Sequence, residues 1–554
     1  MRVLLLYPKF PASFWSFDAT IEMLGRKAML PPLGLITVAA ILPQDWEVKL
    51  VDRNIRDVTE AEWEWADIVM LSAMIVQKAD LHAQIRAAKR RGKPVVIGGP
   101  YPTALPKECE DCGADFMVLD EGEITIPLFM EALARGDTHG TFRSDGVKPD
   151  VTGTPIPRFD LLEFDAYSEM SVQFSRGCPF LCEFCDIIVL YGRKPRTKSS
   201  AQMLAELQRL YDLGWRRSVF MVDDNFIGNK KNVKALLHEM QPWMVEHGYP
   251  FSFATEASVD LAQDQELMDL MRMCNFGACF LGIETPDTES LTLTKKTQNN
   301  RDPLEESVQK IARSGIRVMA GFIIGFDNER PGAGQRIVDF AERTGIPTVA
   351  FSMLHALPDT GLTKRLTAAG RMIEDAEGNL NQTTLMNFIP TRPMEQIATE
   401  YIEGFWTLYD AKAYLKRVFR HFQDLKLASY PKKKRKLAKK LDRANMRALL
   451  ILCWRQGVVR KTRFLFWKQL YQMWRQNPGG IGSYLSTCAQ GEHFLRYRQM
   501  IRTEISKQIQ QHLAVHKAFA TTEPAGTEPT SPVDRPTLTL SLPVLSATRA
   551  SVAS

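Results

Sequence analysis

The chain has 554 residues, of which 45% are hydrophobic, and a formal net charge of +6. This length exceeds the size at which a single hydrophobic core stops growing, so it predicts several domains. The net charge is small for the length and comes partly from one C-terminal segment. A nucleic-acid partner is therefore not indicated.

The N-terminal segment "MRVLLLYPKF" is apolar, but it contains a proline and a lysine within ten residues, so it is too short for a secretory signal. No apolar run approaches the roughly 18 to 20 residues that a membrane span needs. The nine cysteines are odd in number and clustered, which argues against a secreted disulfide framework. We expect a cytoplasmic protein.

Residues 1–133 alternate apolar runs with helical patterns. Continuous apolar strands indicate burial by helices on both faces, as in a doubly wound parallel sheet, so we predict an α/β domain. The strand candidates are residues 3–8, 46–52, 67–74, 94–100 and 115–123.

A sheet of this type binds ligands at the carboxyl ends of its strands. Paired glycines at one such end would let a ligand approach the backbone, although they would equally serve a tight turn. No GxGxxG sequence follows the first strand, so the dinucleotide fingerprint is absent. The strand-end candidates are Ser72, Ala73, Gly98, Gly99, Pro100, Glu121, Gly122 and Glu123.

Residues 134–170 are rich in Gly, Pro, Asp and Thr and are predicted to form a linker. A second alternation of strands and helices covers residues 171–370. Six strand–helix units predict an incomplete parallel barrel, open at one side, with its chemistry at the carboxyl ends of the strands. The strand candidates are residues 171–177, 218–224, 251–257, 278–284, 317–326 and 348–354.

Cys178, Cys182 and Cys185 follow the first strand of this series with the spacing CxxxCxxC. Three thiolates on one loop can bind three irons of a cubane cluster and leave the fourth iron open. A thioredoxin-like CxxC pair would have no use for Cys178, and a structural zinc site would need a fourth ligand. Simple packing is the remaining alternative. We favour the cluster.

The stretch "RGCPFLCEFC" after the first strand of a six-fold series resembles the radical S-adenosylmethionine enzymes. The resemblance implies a [4Fe-4S] cluster, S-adenosylmethionine bound at the open iron, and a one-electron donor such as a flavodoxin or a ferredoxin. It also implies cleavage of S-adenosylmethionine to a 5′-deoxyadenosyl radical. In such enzymes the cofactor carries the chemistry and the protein supplies orientation and exclusion of water.

Further positions match this family one by one. The resemblance assigns Phe184 to the adenine, the end of the second strand to the methionine amino group, and the end of the third strand to the ribose. The usual GGE triplet is absent from the second strand, and any one of these carboxylates could instead cap a helix or form a salt bridge. The strand-end residues are Asp223, Asp224, Asn225, Glu256, Ser258 and Glu284, with "GFIIGF" (321–326) beside the adenine.

The order of the two domains resembles the cobalamin-dependent subclass of these enzymes. The matching motifs are "PPLGL", "VDRN", "IGGPYPT", "DEGE" and "PIPRFDLL". The resemblance implies cobalamin between the domains, with its nucleotide tail passing Gly98 and Gly99. No Asp-x-His-x-x-Gly loop is present to supply a histidine to cobalt, and His82 is the only histidine before the linker.

The implied reaction is methylation of an unactivated carbon. One S-adenosylmethionine methylates cobalt, and a second generates the radical that activates the substrate carbon for methyl transfer. A cyclisation or oxidation without methyl transfer uses the same cofactors and stays open, as does a sensor that binds both groups without turnover.

Residues 371–516 are predicted to be mainly helical, with aromatic residues beside dense Lys and Arg. The run "PKKKRK" (431–436) is typical of a solvated face. A helix on the inner face of the membrane is the second interpretation, supported by "TRFLFWKQLYQMW" (462–474). The region resembles the C-terminal extension of a group that includes the hopanoid C-2 methylase, which implies a lipid-like substrate. Residues 517–554 are predicted to be disordered.

Overall fold

A computed structural model describes residues 1–373, 380–425 and 443–522, with side chains up to residue 514. The first domain is built on six parallel strands in the order β2–β1–β3–β4–β5–β6. The strands are β1 (Arg2–Tyr7), β2 (Glu47–Asp52), β3 (Ile68–Ser72), β4 (Val95–Gly98), β5 (Phe116–Val118) and β6 (Gly140–Phe142).

Helices cover both faces of this sheet, and one buried apolar cluster lies on each face. The predicted doubly wound sheet is therefore confirmed. The helices are α1 (Asp18–Leu24), α2 (Leu33–Ile41), α3 (Glu60–Trp65), α4 (Lys78–Arg90), α5 (Pro100–Ala104), α6 (Pro106–Glu110) and α7 (Gly122–Ala134).

Strand β6 lies within the residues predicted to form a linker. It contains only "GTF" and is flanked by turn-forming residues, so it carries no apolar run that would distinguish it from a loop. The strand forms because the edge of β5 offers free backbone groups, which pair from Phe116 to Val118.

The second domain contains six parallel strands in the order β14–β13–β12–β11–β10–β7. No pairing closes β14 onto β7 in this sheet, so the predicted open barrel of six units is confirmed. Residues 171–177 form two short strands rather than one, because β8 turns away to pair antiparallel with β9. The strands are β7 (Met170–Val172), β8 (Ser175–Arg176), β9 (Arg196–Thr197), β10 (Ser218–Met221), β11 (Ser252–Ala257), β12 (Phe276–Glu284), β13 (Arg317–Ile324) and β14 (Thr348–Met353).

Helices surround the outer face of the barrel and share one large apolar core with it. The helix α9 begins with a capping box, in which Ser199 and Gln202 satisfy each other's backbone N–H groups. The helices of this domain are α8 (Ile187–Leu190), α9 (Ser200–Asp212), α10 (Lys230–Glu246), α11 (Gln265–Met273), α12 (Thr288–Leu293), α13 (Leu304–Arg313), α14 (Ala333–Thr344) and α15 (Gly361–Ala368).

The C-terminal region is helical, as predicted, and packs on the barrel and on α1 of the first domain. None of the described helices is long and apolar enough to cross a membrane. The basic run at 431–436 and the residues beyond 522 lie outside the described part of the chain. The helices are α16 (Met394–Leu408), α17 (Ala411–Asp424), α18 (Arg443–Trp454), α19 (Arg463–Gln476) and α20 (Ile481–Thr522).

Candidate active site

The three cysteines lie on the loop between β8 and α8, at the carboxyl end of the barrel. Gly177 opens this loop with φ +93, and a Cβ atom there would lie 2.8 Å from the Gly192 carbonyl oxygen. A side chain would therefore collide with the returning segment, so glycine is required before Cys178. The loop is tight at the point where the first thiol is presented.

Side-chain amides point at two of the thiols. Asn225 donates to Cys178 Sγ at 3.9 Å, and Gln298 donates to Cys182 Sγ at 3.6 Å. All nine cysteines are free. Burial raises the pKa of the Cys178 and Cys185 thiols, and the nearby Cys182 adds to both shifts.

This arrangement fits a cubane cluster better than a single ion. Among the described residues, no three His, Cys, Asp or Glu side chains converge on one point where an ion could bind. A cubane needs no such convergence, because each thiolate binds its own iron. Three free thiols on one loop, two of them with amide donors, meet that requirement.

Asp223 and Asp224, at the end of β10, hold the cysteine loop in place. Asp223 accepts hydrogen bonds from the backbone of Phe174 and from both the N–H and the hydroxyl of Ser175. Asp224 accepts from the Gly177 N–H at 3.0 Å. Burial raises the pKa of Asp223 to about 6 and that of Asp224 to about 7. These carboxylates act on the loop backbone.

Asn225 links the ends of β10 and β11. Its side-chain oxygen accepts from the Ser258 N–H at 3.2 Å, while its amide donates to the Ser258 hydroxyl. Glu256, on β11, lies beside these groups at the barrel rim. Burial, together with the charges of Asp224, Asp223 and Glu284, raises the pKa of Glu256 to about 8.

Asp223, Asp224, Glu256 and Glu284 form what we call the acidic rim. They stand at the carboxyl ends of three neighbouring strands, and the repulsion among them raises the pKa of Glu256. Like charges held together at low dielectric favour binding of a cation. The acidic rim therefore suits a positively charged ligand at the mouth of the barrel.

Lys296 is a residue of the site that the sequence analysis missed. Its ammonium forms an ion pair with Glu284 and lies 5.9 Å from the centroid of the Phe184 ring. Burial acts to lower the pKa of Lys296, but the attraction of Glu284 and of Cys182 and Cys185 outweighs it. The only sequence signal is the pair of lysines in "TKKTQNN", which does not reveal which one is buried.

Phe184 lies close to the end of β13. The Phe184 ring lies 5.8 Å from that of Phe326, tilted by 56°. Gly325, with φ +100, turns the chain between β13 and Phe326, and its N–H donates to Glu329 at 2.8 Å. Two aromatic rings thus border the site on the side next to the cysteine loop.

The first domain directs Ser72, Gly98 and Gly99 to one edge of its sheet. A Cβ atom on Gly99, which has φ +93, would lie 2.4 Å from Ser72 Oγ, and one on Gly98 would lie 2.6 Å from the Val118 carbonyl. Close packing of the strand ends therefore requires both glycines, whether or not a ligand binds. Pro100 begins α5 directly after them.

Glu121 and Glu123 bind arginines of the barrel domain. Arg176 donates to Glu121 at 2.9 Å and to Glu123 at 2.8 Å, and Arg196 donates to Glu121 at 2.7 Å. Glu121 is only 4% exposed. Arg176 precedes Cys178 by two residues, so this buried network connects the end of the first sheet to the cysteine loop.

His82, the only histidine before the predicted linker, lies on α4. Its Nε2 is 2.9 Å from the hydroxyl of Tyr101, which also donates to Glu108 at 2.5 Å. The imidazole is therefore engaged in a hydrogen bond within the first domain.

Three rows of paired residues line the inner face of the barrel strands, and their neighbours on the strands, such as Cys279 and Leu281, are buried under the helices. The inner rows are mostly small or apolar, so the surface that lines the barrel lumen below the acidic rim is largely apolar. The rows are Ser171, Phe220, Ala254, Ala278 and Arg317; Glu256, Phe280, Met319 and Thr348; and Gly282, Gly321 and Ala350.

Trp15, from the loop that follows β1, reaches this lumen. Its ring meets that of Phe280 edge to face at 5.1 Å. The neighbouring Phe14 is fully buried and stacks on Phe494 of α20 at 4.6 Å. A loop of the first domain, anchored by the C-terminal region, thus contributes an indole to the barrel.

Family models match all three parts of the chain. The B12 binding domain matches residues 23–129, the Radical SAM superfamily matches residues 172–359, and a domain of unknown function (DUF4070) matches residues 360–507. Fold, cysteine loop and domain matches together define a cobalamin-dependent radical S-adenosylmethionine enzyme.

Curated relatives identify the family within this class. An uncharacterized methyltransferase of Synechocystis sp. is 62% identical over 515 residues, with 93% of this chain and 95% of the relative covered. The hopanoid C-2 methylase of Rhodopseudomonas palustris is 33% identical over 506 residues, with 90% and 93% covered. The chain belongs to the cobalamin-dependent radical S-adenosylmethionine methyltransferases, which confirms the predicted enzyme class.

A solved structure supports the fold. The cobalamin-dependent S-adenosylmethionine radical enzyme OxsB, with aqua-cobalamin bound, matches with a TM-score of 0.57 at 15% identity, covering 92% of this chain and 80% of that one. The cofactors of this protein are thus cobalamin, a [4Fe-4S] cluster and S-adenosylmethionine, as predicted.

Proposed function

We propose that this protein methylates an unactivated carbon of a lipid-like substrate of the hopanoid or terpenoid type. The observation that carries the proposal is the lining of the barrel lumen, where the Phe280 ring lies against Gly321 and meets Trp15 edge to face at 5.1 Å. An apolar, aromatic lining of this kind favours a hydrocarbon over a charged metabolite. The relative named as a hopanoid C-2 methylase supports the same substrate class.

In this proposal Cys178, Cys182 and Cys185 hold the cluster. S-adenosylmethionine carries an ammonium and a sulfonium, which the acidic rim would attract, and a carboxylate, which Lys296 would attract. Asn225 and Ser258 would orient the ligand at the ends of β10 and β11, and Phe184 would face the adenine. The cluster and cobalamin supply the radical and the methyl group when bound.

We assign the corrin to the space between the domains and its nucleotide tail to the sheet edge at Ser72, Gly98, Gly99 and Pro100. Glu121 takes a different role in this assignment. Its carboxylate is already paired with Arg176 and Arg196, so it would fix the position of the cobalamin domain over the cysteine loop instead of binding the cofactor itself.

The electron donor in this proposal is a flavodoxin or a ferredoxin. It would approach the cluster over the cysteine loop, where Leu181 is 45% and Val189 is 40% exposed. Apolar side chains at that surface suit a transient contact with a small redox protein. Peripheral association with the inner face of a membrane would bring the enzyme to a lipid substrate.

The test is an anaerobic assay of the reconstituted enzyme with S-adenosylmethionine labelled in its methyl group. We expect label in a terpenoid lipid, with 5′-deoxyadenosine and S-adenosylhomocysteine formed in equal amounts. Trp15→Ala should reduce turnover of the lipid while cluster content stays unchanged, and Trp46→Ala serves as a control on the first domain. Formation of 5′-deoxyadenosine without label in any lipid would contradict the proposal.

A further inference from the structure

An exposed apolar surface covers α18, α19 and the turn between them. Five of the six exposed aromatic side chains in the described part of the chain lie here, and Phe464 is 76% exposed. Apolar surfaces of this extent usually bind a partner or a membrane. The surface, which we call the exposed apolar face, consists of Met446, Leu450, Trp454, Val458, Val459, Phe464, Trp467, Tyr471 and Trp474.

The helix α19 carries two apolar stripes. Phe466, Gln469 and Met473 are buried against the protein. The exposed aromatics at 464, 467, 471 and 474 are separated by three, four and three residues, so they share the other side of the helix. An ordinary surface helix carries charged residues there. The Trp467 indole donates to the Gly457 carbonyl at 2.9 Å, but packing among the described residues leaves Phe464, Tyr471 and Trp474 more than half exposed.

The charge of this region is entirely positive. Residues 443–491 contain no aspartate or glutamate. Eight arginines and lysines lie within residues 443–475. Arg455 and Arg460 pair with Glu22 and Glu492 from other segments. On α19, Arg463 begins the helix, while Lys468 and Arg475 flank the aromatic stripe and are exposed. Aromatic side chains bordered by cations match an interface between hydrocarbon and anionic headgroups.

The exposed apolar face is connected to the barrel lumen through α1. This helix packs against α18, with Arg455 of the following turn near Glu22 of α1. It begins three residues after Trp15, which meets Phe280 in the lumen. If the protein bound a membrane through this face, α1 would lie next to the lipid and would hold the loop that carries Trp15.

We infer that the exposed apolar face is the membrane-binding surface of this enzyme, and that its partner is a bilayer carrying anionic lipid. The inference rests on the peripheral membrane association proposed above and assigns that association to one surface of the protein. The aromatic side chains enter the headgroup region, and the surrounding cations contact lipid phosphates. The binding is reversible, because one amphipathic surface without a lipid anchor buries limited apolar area.

The test is sedimentation of the full-length holoenzyme with vesicles of phosphatidylcholine alone or mixed with phosphatidylglycerol. We expect wild type to sediment with the mixed vesicles, less so at high salt. Phe464→Ser combined with Trp474→Ser should lower the partition coefficient roughly tenfold or more. The matched control, Val147→Ser combined with Val245→Ser, changes two exposed apolar side chains elsewhere and should bind as wild type does.

Quenching of tryptophan fluorescence by brominated lipid gives a second measurement that does not depend on a destabilised variant. Trp454→Phe combined with Trp474→Phe should lower the quenching, with Trp467 as the remaining reporter in the face, and retain sedimentation. If wild type and the serine variant sediment equally with the mixed vesicles, the protein binds membranes but not through the exposed apolar face, and the inference is wrong. The inference also fails if wild type binds neither kind of vesicle, or if the serine substitutions instead dissociate a dimer in solution. Methyl transfer to detergent-dispersed lipid tests the proposed function separately from membrane binding.

Discussion

Cys182 is the most buried of the three clustered thiols, at 8% exposure, and accepts a hydrogen bond from Gln298. Cys182→Ala removes one iron ligand, so we expect loss of the cluster absorbance and of 5′-deoxyadenosine formation, because the residual cluster cannot hold its geometry. Iron analysis and an anaerobic turnover assay provide the measurement. Cys112→Ala, a half-buried cysteine in the first domain, should change neither.

Substitutions of Lys296 and of its neighbour Lys295 can be compared directly. Lys296→Met leaves Glu284 buried without its partner, which should cost roughly 3 kcal/mol of unfolding free energy and weaken binding of S-adenosylmethionine roughly tenfold or more. Lys295→Met, at an exposed position, is the control and should cost little. Denaturant unfolding and equilibrium binding measure the two effects. Equal behaviour of both variants would remove Lys296 from the site.

The raised pKa of Glu256 predicts that the stability of the ligand-free protein depends on pH. Burial and neighbouring carboxylates raise its pKa to about 8, against about 4.3 in an unfolded chain. A raised carboxyl pKa contributes stability that is full below about pH 4 and is lost as pH rises through about 8. Glu256→Gln removes this loss, so its melting temperature should exceed that of wild type increasingly from about pH 5 to about pH 8.5.

The control for this pH dependence is Glu110→Gln, which changes an exposed carboxylate at the end of α6. Its melting temperature should follow that of wild type across the same range. Parallel curves for Glu256→Gln and wild type would show that Glu256 is ionised in the folded protein.

At the scale of elements, Gly99 joins the ends of β3 and β4. Gly99→Ala places a methyl group against Ser72 and the Ala73 backbone at a φ of +93, so we expect a loss of roughly 1–3 kcal/mol beyond that of the control. The control, Gly92→Ala, has φ +68 and open space, so it carries only the backbone cost of about 1 kcal/mol. Thermal unfolding followed by cobalamin titration separates stability from binding.

The contact between the two sheets depends on Arg176. Arg176→Met leaves Glu123 buried without an ion-pair partner and leaves Glu121 with Arg196 alone, which should cost roughly 3 kcal/mol. Cluster content should persist while cobalamin-dependent methyl transfer falls, because only Arg196 then ties the end of the first sheet to the barrel domain. Arg158→Met breaks a half-exposed pair with Asp160 and should cost less than about 1 kcal/mol. Loss of the cluster in Arg176→Met would instead indicate a role confined to the cysteine loop.

Elements with continuous apolar runs were predictable from the sequence, and short ones were not. The strands β1, β3 and β13 are long and apolar, so their composition indicates that both of their faces are buried. The strands β6, β8 and β9 contain two or three residues each. Their pairing depends on a neighbouring edge, which local periodicity does not reveal.

In the whole molecule, the cysteine loop is held from two sides. Arg176 connects it to the first domain, and Glu183, between Cys182 and Phe184, pairs with Arg365 of α15 at 2.7 Å. The cluster, the cobalamin domain and the last helix of the barrel domain are therefore mechanically coupled through one loop. A change in any of the three parts would alter the geometry at the cluster.

The sequence by itself determined the cofactor class and the order of the domains. The three cysteine positions occur within eight residues, and the strands carry their pattern locally, so neither depends on distant contacts. Only the tertiary structure decided that Glu121 binds Arg176, that Trp15 reaches Phe280 and that Lys296 pairs with Glu284. It also decided which apolar stripe of α19 is buried. The first two contacts join residues far apart in the chain. Lys296 meets Glu284 only because the chain after β12 folds back on the strand end, and the buried stripe of α19 depends on which of its surfaces other helices cover.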